Sequence, residues 1–155
     1  MEMREILFRG KRLDNGKWVE GSHCPKKIGH YDSGKSVEKV QHLIIINMTS
    51  GGYQYTDVAP ETVCRYTGLT DKNGRKIFEG DIIKYHFGKD VAPIKFGLYQ
   101  NCFDSQQAEH CGFYVDWKSE RNFRKDLGYW VHMVDAEIVG NIFDNPELLK
   151  EDDAE

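Results

Sequence analysis

The sequence predicts a mainly β protein, with a barrel-like core, additional hairpins, long polar loops and a short C-terminal helix. Three observations support this prediction. Apolar residues fall in many short runs, several of which alternate with polar residues as the two faces of a strand do. The dipeptide Asn-Gly occurs twice between such runs and is a strong hairpin signal. Aromatic residues make up 12% of the chain, and many stand beside β-branched residues, which suits strands.

The length of 155 residues fits one domain that buries its own core. We expect a single domain over residues 1–155, within which residues 1–60 are a candidate N-terminal β subdomain and residues 61–145 the approximate barrel core. The formal net charge of −4 argues against broad, non-specific binding to phosphates. A local basic patch stays compatible with that charge.

The first hairpin is predicted at the N-terminus, with strands near residues 5–9 and 17–23 and a turn at Asp14-Asn15-Gly16. The second turn is predicted at Lys72-Asn73-Gly74. We expect type I′ turns, because Asn and Gly tolerate positive φ at both central positions best. The two turn regions share a pattern, which either two similar hairpins or an ancestral repeat would explain.

Between these hairpins, residues 24–41 contain Pro25, two glycines and several lysines, and they predict a long loop. The run Leu43-Ile44-Ile45-Ile46 predicts a buried strand over residues 42–47. A return strand is expected at Tyr53-Gln54-Tyr55, and residues 60–63 predict a short helical turn.

The C-terminal half predicts five more strands, at residues 81–87, 94–99, 113–117, 130–135 and 137–143. Residues 101–112 predict a loop, and residues 118–128 a loop or a short helix. Asn145 followed by Pro146 predicts the start of a short helix. Strand alternation selects nine core residues: Ile82, Ile83, Tyr85, Ile94, Phe96, Phe113, Val115, Ile138 and Ile142. Ile82 and Ile83 are adjacent, so they cannot both face one interior.

No signal peptide is visible at the N-terminus, and the longest apolar run, residues 43–46, is far too short to cross a bilayer. A cytoplasmic location and no membrane contact are therefore expected. The four cysteines should then be reduced thiols.

Several segments resemble the YopX-like family of bacteriophage and prophage proteins, and they occur in the family's order. They are Phe8-Arg9-Gly10-Lys11, Trp18-Val19-Glu20-Gly21, residues 66–74, residues 77–83 and residues 139–146. The resemblance implies a phage or prophage product with an SH3-like β-barrel as its central unit. It implies no activity, and the shared residues have a structural character, with glycines at turns.

Known catalytic and metal-binding motifs do not fit this chain. Cys102 and Cys111 are nine residues apart, and the other Cys and His residues form no short zinc knuckle. There is neither a Gly-x-Ser-x-Gly elbow nor a phosphate-binding loop followed by a helix. We therefore predict no enzyme activity, no cofactor and no metal, with no catalytic or ligand residue to name.

Two basic clusters are candidate sites for single-stranded nucleic acid, because basic residues lie near aromatic ones there. The first accompanies Phe8 and Trp18, and the second follows Trp117. Their basic residues are Arg9, Lys11 and Arg12, and then Lys118, Arg121, Arg124 and Lys125. The alternative reading places these aromatics in the core and the basic side chains in solvent.

The leading prediction is a non-catalytic accessory protein that binds or regulates a protein partner of host or phage origin, or that associates with itself. It would act in the cytoplasm of an infected or lysogenic bacterium. A small barrel that binds single-stranded nucleic acid and an enzyme of unrecognised class stay open as alternatives.

Overall fold

The structure, a computed structural model, describes residues 5–85, 87–118 and 124–150. Strands dominate, so the predicted mainly β fold is confirmed. The strands form antiparallel sheets, and within the described residues neither sheet closes on itself. None of the described helices is long and apolar enough to cross a membrane.

Ten strands and one α-helix make up the described chain. The strands are β1 Phe8–Lys11, β2 Trp18–Asp32, β3 Lys35–Asn47, β4 Tyr53–Asp57, β5 Cys64–Thr70, β6 Lys76–Phe78, β7 Asp81–Lys84, β8 Val91–Tyr99, β9 His110–Val115 and β10 Glu137–Asn141. The helix α1 spans Leu127–Met133, and two short 3-10 helices span Pro60–Thr62 and Pro146–Leu149.

The chain divides into two compact units, residues 1–66 and 67–155, with the boundary inside β5. In the N-terminal unit the strands lie side by side in the order β4, β3, β2, β1, and β1 also pairs with the start of β5. Ile44 and Val58 are fully buried there. A Cβ on Gly10 would lie 3.0 Å from the Val58 side chain, so glycine permits this close approach.

The predicted loop over residues 24–41 is wrong, because β2 and β3 pair without interruption from Ser22–Ile45 to Asp32–Lys35. The connection is the two-residue turn Ser33-Gly34, where both φ angles are positive, at 49° and 81°. This is the pattern of a type I′ turn. The segment looks like a loop in sequence because its strands are exposed on both faces, so burial imposes no apolar alternation.

Both Asn-Gly hairpins are confirmed, but their type I′ conformation is wrong. Only the glycines have positive φ, with 68° at Gly16 and 77° at Gly74. The Asn15 side-chain oxygen instead accepts the Lys17 N–H at 2.9 Å, and this bond lets the asparagine keep negative φ. The turns are therefore longer than two residues, and each ends in a left-handed glycine.

In the C-terminal unit the sheet order is β10, β7, β8, β9, and the end of β5 forms a hairpin with β6. The predicted strand over residues 130–135 is wrong, since α1 covers most of it. Leu127, Trp130 and Val131 are the buried residues of α1. Their spacing of three and four positions is helical, and it outweighs the β-branched and aromatic composition that suggested a strand.

Most of the predicted core residues lie in the core. Ile82, Ile83, Ile94 and Val115 are fully buried, and Tyr85, Phe113 and Ile138 pack partly buried against the main cluster. Ile83 belongs to that cluster together with Trp117 and Trp130. Phe96 and Ile142 were wrongly predicted as core, since they are 40% and 38% exposed. Phe96 lies in the part of β8 that is open to solvent, and Ile142 follows the end of β10.

The remaining element predictions hold with shifted bounds, except the loop or short helix predicted over residues 118–128, of which residues 119–123 lie outside the described residues. The strand predicted over residues 81–87 ends at Lys84, and its residue 86 lies outside the described residues. The C-terminal helix is a single 3-10 turn rather than an α-helix. Asn145 does not cap it with its side chain, because that oxygen accepts the Asn141 N–H at 3.3 Å.

Candidate functional site

The first predicted basic cluster lies on the antiparallel pair β1–β2, where Arg9 is opposite Glu20 and Lys11 is opposite Trp18. These residues share one face of the pair. The Arg9 guanidinium carbon lies 4.5 Å from the centre of the Trp18 ring, and the Lys11 Nζ lies 5.5 Å from it. The two cations thus already engage this ring through cation–π contacts.

Arg12, the third member of that cluster, is paired with an acid. Its Nη2 lies 2.6 Å from Asp14 Oδ2, and its Nε donates to Asp14 Oδ1 at 2.9 Å. The hydrogen bond from Arg12 lowers the pKa of Asp14 below its ordinary value. The pair is nearly neutral as a whole, so Arg12 contributes little positive potential to this surface.

The second cluster is only partly assembled. Arg124 Nε donates to Asp126 at 2.6 Å, and its guanidinium lies over the rings of Phe103 and Tyr129. Lys125 Nζ lies 5.9 Å from the Tyr114 ring centre. Lys118 is exposed after β9, and Arg121 lies outside the described residues.

Asp126 is the centre of a polar network that the sequence did not predict. Its carboxylate accepts hydrogen bonds from the Tyr99 hydroxyl and the Asn101 amide, both at 3.0 Å, as well as from Arg124. Burial and the bond to Asp126 raise the pKa of Tyr99 to about 12. Asn101 is buried and also accepts the Lys125 N–H at 2.8 Å. The network joins the loop after β8 to the start of α1, so Arg124 has a structural role there.

The largest exposed feature of the N-terminal unit is the β2–β3 arm, which we define as residues 25–41. Residues 25–40 are exposed on both strands. Each face offers apolar side chains to solvent. Ile28 and Val37 share one face and are 37% and 41% exposed, while Tyr31 and Val40 share the other and are 82% and 47% exposed.

The charge of the arm differs from that of the whole chain. The arm holds four lysines, at 26, 27, 35 and 39, and two acidic residues, Asp32 and Glu38, which give it a net charge of +2. The chain as a whole has a formal net charge of −4. The arm therefore combines mild positive charge with open apolar groups.

A pair of histidines lies where the arm leaves the sheet. His23 Nε2 and His42 Nδ1 are 2.9 Å apart, and the ring of Phe8 lies 5.5 Å from that of His23. Burial and the neighbouring His42 lower the pKa of His23. Within the described residues, His, Cys, Asp and Glu form no group of three that could hold a metal ion. All four cysteines are thiols in this structure.

The arm had one usable sequence signal that the loop prediction overlooked. Ser33-Gly34 is a turn-forming dipeptide, and it lies between Tyr31 and Val37, which favour strands. The signal is weak because lysines and Pro25 interrupt both flanking runs.

Comparisons with known proteins point to one family. A family model described as YopX protein matches residues 7–150. Protein EF1440 from Enterococcus faecalis, known from a crystal structure, is 20% identical, with a TM-score of 0.46 over 96% of this chain and 100% of that one. No curated protein matches this chain.

Proposed function

The chain belongs to the YopX protein family, and from that premise we propose that it is a non-catalytic binding protein that holds a protein partner on the β2–β3 arm. The observation that supports this proposal is the exposure of the arm on both faces. An isolated two-stranded ribbon is at best marginally stable in water. A partner that covers Ile28 and Val37, or Tyr31 and Val40, would bury apolar surface and stabilise the ribbon.

A protein fits the arm better than a nucleic acid does. The arm exposes Tyr31 and three aliphatic side chains, and aromatic and apolar side chains form the buried core of protein interfaces. Two of the basic residues predicted to bind phosphates are instead paired with acids, Arg12 with Asp14 and Arg124 with Asp126. Asp32 and Glu38 also offset two of the four lysines on the arm.

The biological setting is part of the proposal. The resemblance to phage and prophage proteins supports a role in the cytoplasm of an infected or lysogenic bacterium, on a partner of host or phage origin. It also supports an SH3-like barrel as the central unit, over about residues 61–145, where β7, β8 and β9 follow one another as antiparallel neighbours.

The test removes the arm and keeps the sheet. Residues 27–40 are replaced by Asn-Gly, so that the native pair Lys26–Gln41 closes a two-residue turn. Hydrogen-bonded and non-hydrogen-bonded pairs alternate along an antiparallel ladder. The pair Lys26–Gln41 lies an even number of positions from the native closing pair Asp32–Lys35, so the two pairs are of the same type. Tagged full-length and truncated proteins are then used to capture partners from infected cells, with and without nuclease.

We expect one protein partner that survives nuclease treatment and is lost with the arm. A matched variant with lysines 26, 27, 35 and 39 changed to glutamine keeps the apolar groups, and it should keep the partner. If binding instead disappears with nuclease, and also with the glutamine variant and rising salt, the partner is a nucleic acid and the proposal is wrong.

A further inference from the structure

The strand β4 has one open side. Within the described residues it borders only β3 and is the last strand of its sheet. The Met48 N–H donates to Gly52 O and the Val58 N–H donates to His42 O, both at 3.0 Å. Hydrogen bonding alternates along an antiparallel strand. In β4 the even-numbered residues therefore direct their backbone N–H and C=O groups towards β3. The backbone N–H and C=O groups of Tyr53 and Tyr55 therefore point away from it.

The open stretch is short and bounded at both ends. At its C-terminal end, Asp57 O already accepts the Leu13 N–H at 3.0 Å, so the chain near Leu13 covers that position. At its N-terminal end, the strand begins after the Gly51-Gly52 turn. The open edge thus consists of Tyr53-Gln54-Tyr55, with outward backbone groups on the two tyrosines.

This short edge lacks the charges, prolines and bulges that commonly prevent strands from pairing with other chains. Tyr53, Gln54 and Tyr55 include no charge and no proline, and the register with β3 runs from Leu43–Asp57 to Asn47–Tyr53 without a bulge. Natural edges are commonly protected by lysine, proline or a bulge. Tyr53 and Tyr55 are also 65% and 63% exposed, on the same face of the sheet.

We propose that this edge binds the same edge of a second copy of the chain, in an antiparallel pair centred on Gln54. The segment Tyr53-Gln54-Tyr55 reads the same in both directions, so a two-fold axis at Gln54 places each Tyr53 opposite Tyr55 of the second copy. All the outward backbone groups of the edge then pair, through four hydrogen bonds. Two aromatic cross-strand pairs form beside them. The uncharged edge also lets two acidic chains approach without direct repulsion.

The second copy is a better occupant than an unrelated extended peptide. The edge offers outward groups at only two positions, and a second copy offers the same two at matching spacing. A longer peptide would meet the chain near Leu13 at one end. This surface is separate from the β2–β3 arm, so either proposal can be wrong without affecting the other.

Charge substitutions test the register as well as the association. The variant Tyr53→Lys/Tyr55→Lys places lysine opposite lysine in the proposed pair, whereas Tyr53→Lys/Tyr55→Glu places each lysine opposite a glutamate. In a pair centred on Tyr55, the second variant would instead place glutamate opposite glutamate. Sedimentation at several protein concentrations and low salt measures the molecular mass, and circular dichroism verifies that each variant is folded.

We expect the unsubstituted chain to form dimers, the Lys/Lys variant to be monomeric and the Lys/Glu variant to form dimers again. The control Tyr31→Lys changes a tyrosine on the arm that is even more exposed, and it should leave the dimer intact. A chain that is monomeric up to its solubility limit, or a folded Lys/Lys variant that still forms dimers, would refute the proposal. Dimers of the unsubstituted chain without recovery in the Lys/Glu variant would refute the register.

Discussion

His23 and His42 face each other across the base of the β2–β3 arm, with Nε2 of the first 2.9 Å from Nδ1 of the second. At this distance one imidazole donates a hydrogen bond and the other accepts it, which requires an unprotonated nitrogen on the acceptor. Two protonated rings would lose this bond and would repel each other. Burial and His42 lower the pKa of His23 below its ordinary value of 6.5. The unfolded chain therefore binds more protons than the folded chain as the pH falls through that value.

The prediction is a loss of stability on acidification. The contribution of His23 should be fully present above pH 6.5 and should decrease below it. The variant His23→Gln should show a flatter stability profile between neutral and mildly acidic pH, measured by urea unfolding at each pH. His30→Gln, on the exposed arm, is the control and should leave the profile unchanged. Equal slopes for the His23 variant and the unsubstituted chain would contradict this account.

Asp71 is the residue on which the second Asn-Gly hairpin depends. Its Oδ1 accepts the N–H groups of Asn73 and Arg75, both at 2.9 Å, and its Oδ2 accepts Arg75 Nε at 3.0 Å and the Ile138 N–H at 3.1 Å. Burial would raise its pKa, but these donors outweigh burial and lower it. We expect Asp71→Ala to cost about 3 kcal/mol of unfolding free energy, because the four hydrogen bonds to this buried carboxylate are lost together.

Two comparisons make the Asp71 prediction specific. Asp14→Ala removes the exposed acid of the first hairpin, and it should change stability much less. Because the folded pKa of Asp71 is lowered, its contribution is present above the ordinary carboxyl pKa and is lost as the pH falls. A cost for Asp71→Ala as small as that for Asp14→Ala would show that the network is not important for stability.

Local signals in the sequence were sufficient for the hairpins but not for the arm. The positions of both Asn-Gly turns follow from the dipeptide alone, whereas their geometry depends on side-chain bonds such as Asn15 to Lys17. The arm was missed because apolar alternation reports burial, and the arm has none. The strand predicted at Trp130 is wrong because the helical spacing of Leu127, Trp130 and Val131 outweighs the β-branched and aromatic composition of this segment.

The candidate sites were harder to predict than the fold. A sequence shows that Arg12 and Arg124 are basic, but not that Asp14 and Asp126 pair with them. Asp14 and Asp126 each follow their arginine by two residues, which permits such a pair without showing that it forms. The bonds from Tyr99 and Asn101 to Asp126 join positions more than twenty residues apart, and only the folded chain brings them together.

Tyr99 should make the protein less stable at high pH. Its pKa is raised from 10.0 to about 12 by burial and by the hydrogen bond to Asp126. The unfolded chain therefore releases this proton first, and the contribution of Tyr99 decreases as the pH rises from 10 towards 12. Tyr99→Phe should flatten the profile in that window and cost about 1 kcal/mol at neutral pH, from the lost hydrogen bond. Absorbance titration of the tyrosines should show one fewer late-titrating group in the variant.

Truncation of a buried side chain in β7 should destabilise the protein more than truncation of a half-exposed side chain just after β10. Ile83 is fully buried in the main cluster, so Ile83→Ala should cost about 3 to 4 kcal/mol through lost contacts and a cavity. Ile142 is 38% exposed, and Ile142→Ala should cost about 1 kcal/mol. Urea unfolding of the two variants checks this order, and a reversed order would show that the core is assigned to the wrong residues.

The arm should be dispensable for the stability of the isolated chain. Residues 25–40 are exposed, so the replacement of residues 27–40 by Asn-Gly removes little buried apolar surface. The ordering of those residues costs conformational entropy, and few buried contacts offset it. We therefore expect the truncated chain to unfold within a few degrees of the full-length chain in a thermal melt.

A full-length chain bound to its proposed partner should instead melt at a higher temperature, because the partner binds only the folded arm. A large loss of stability on truncation without any partner would mean that the arm contributes to the fold itself, and it would remove the physical reason for assigning the arm to a partner.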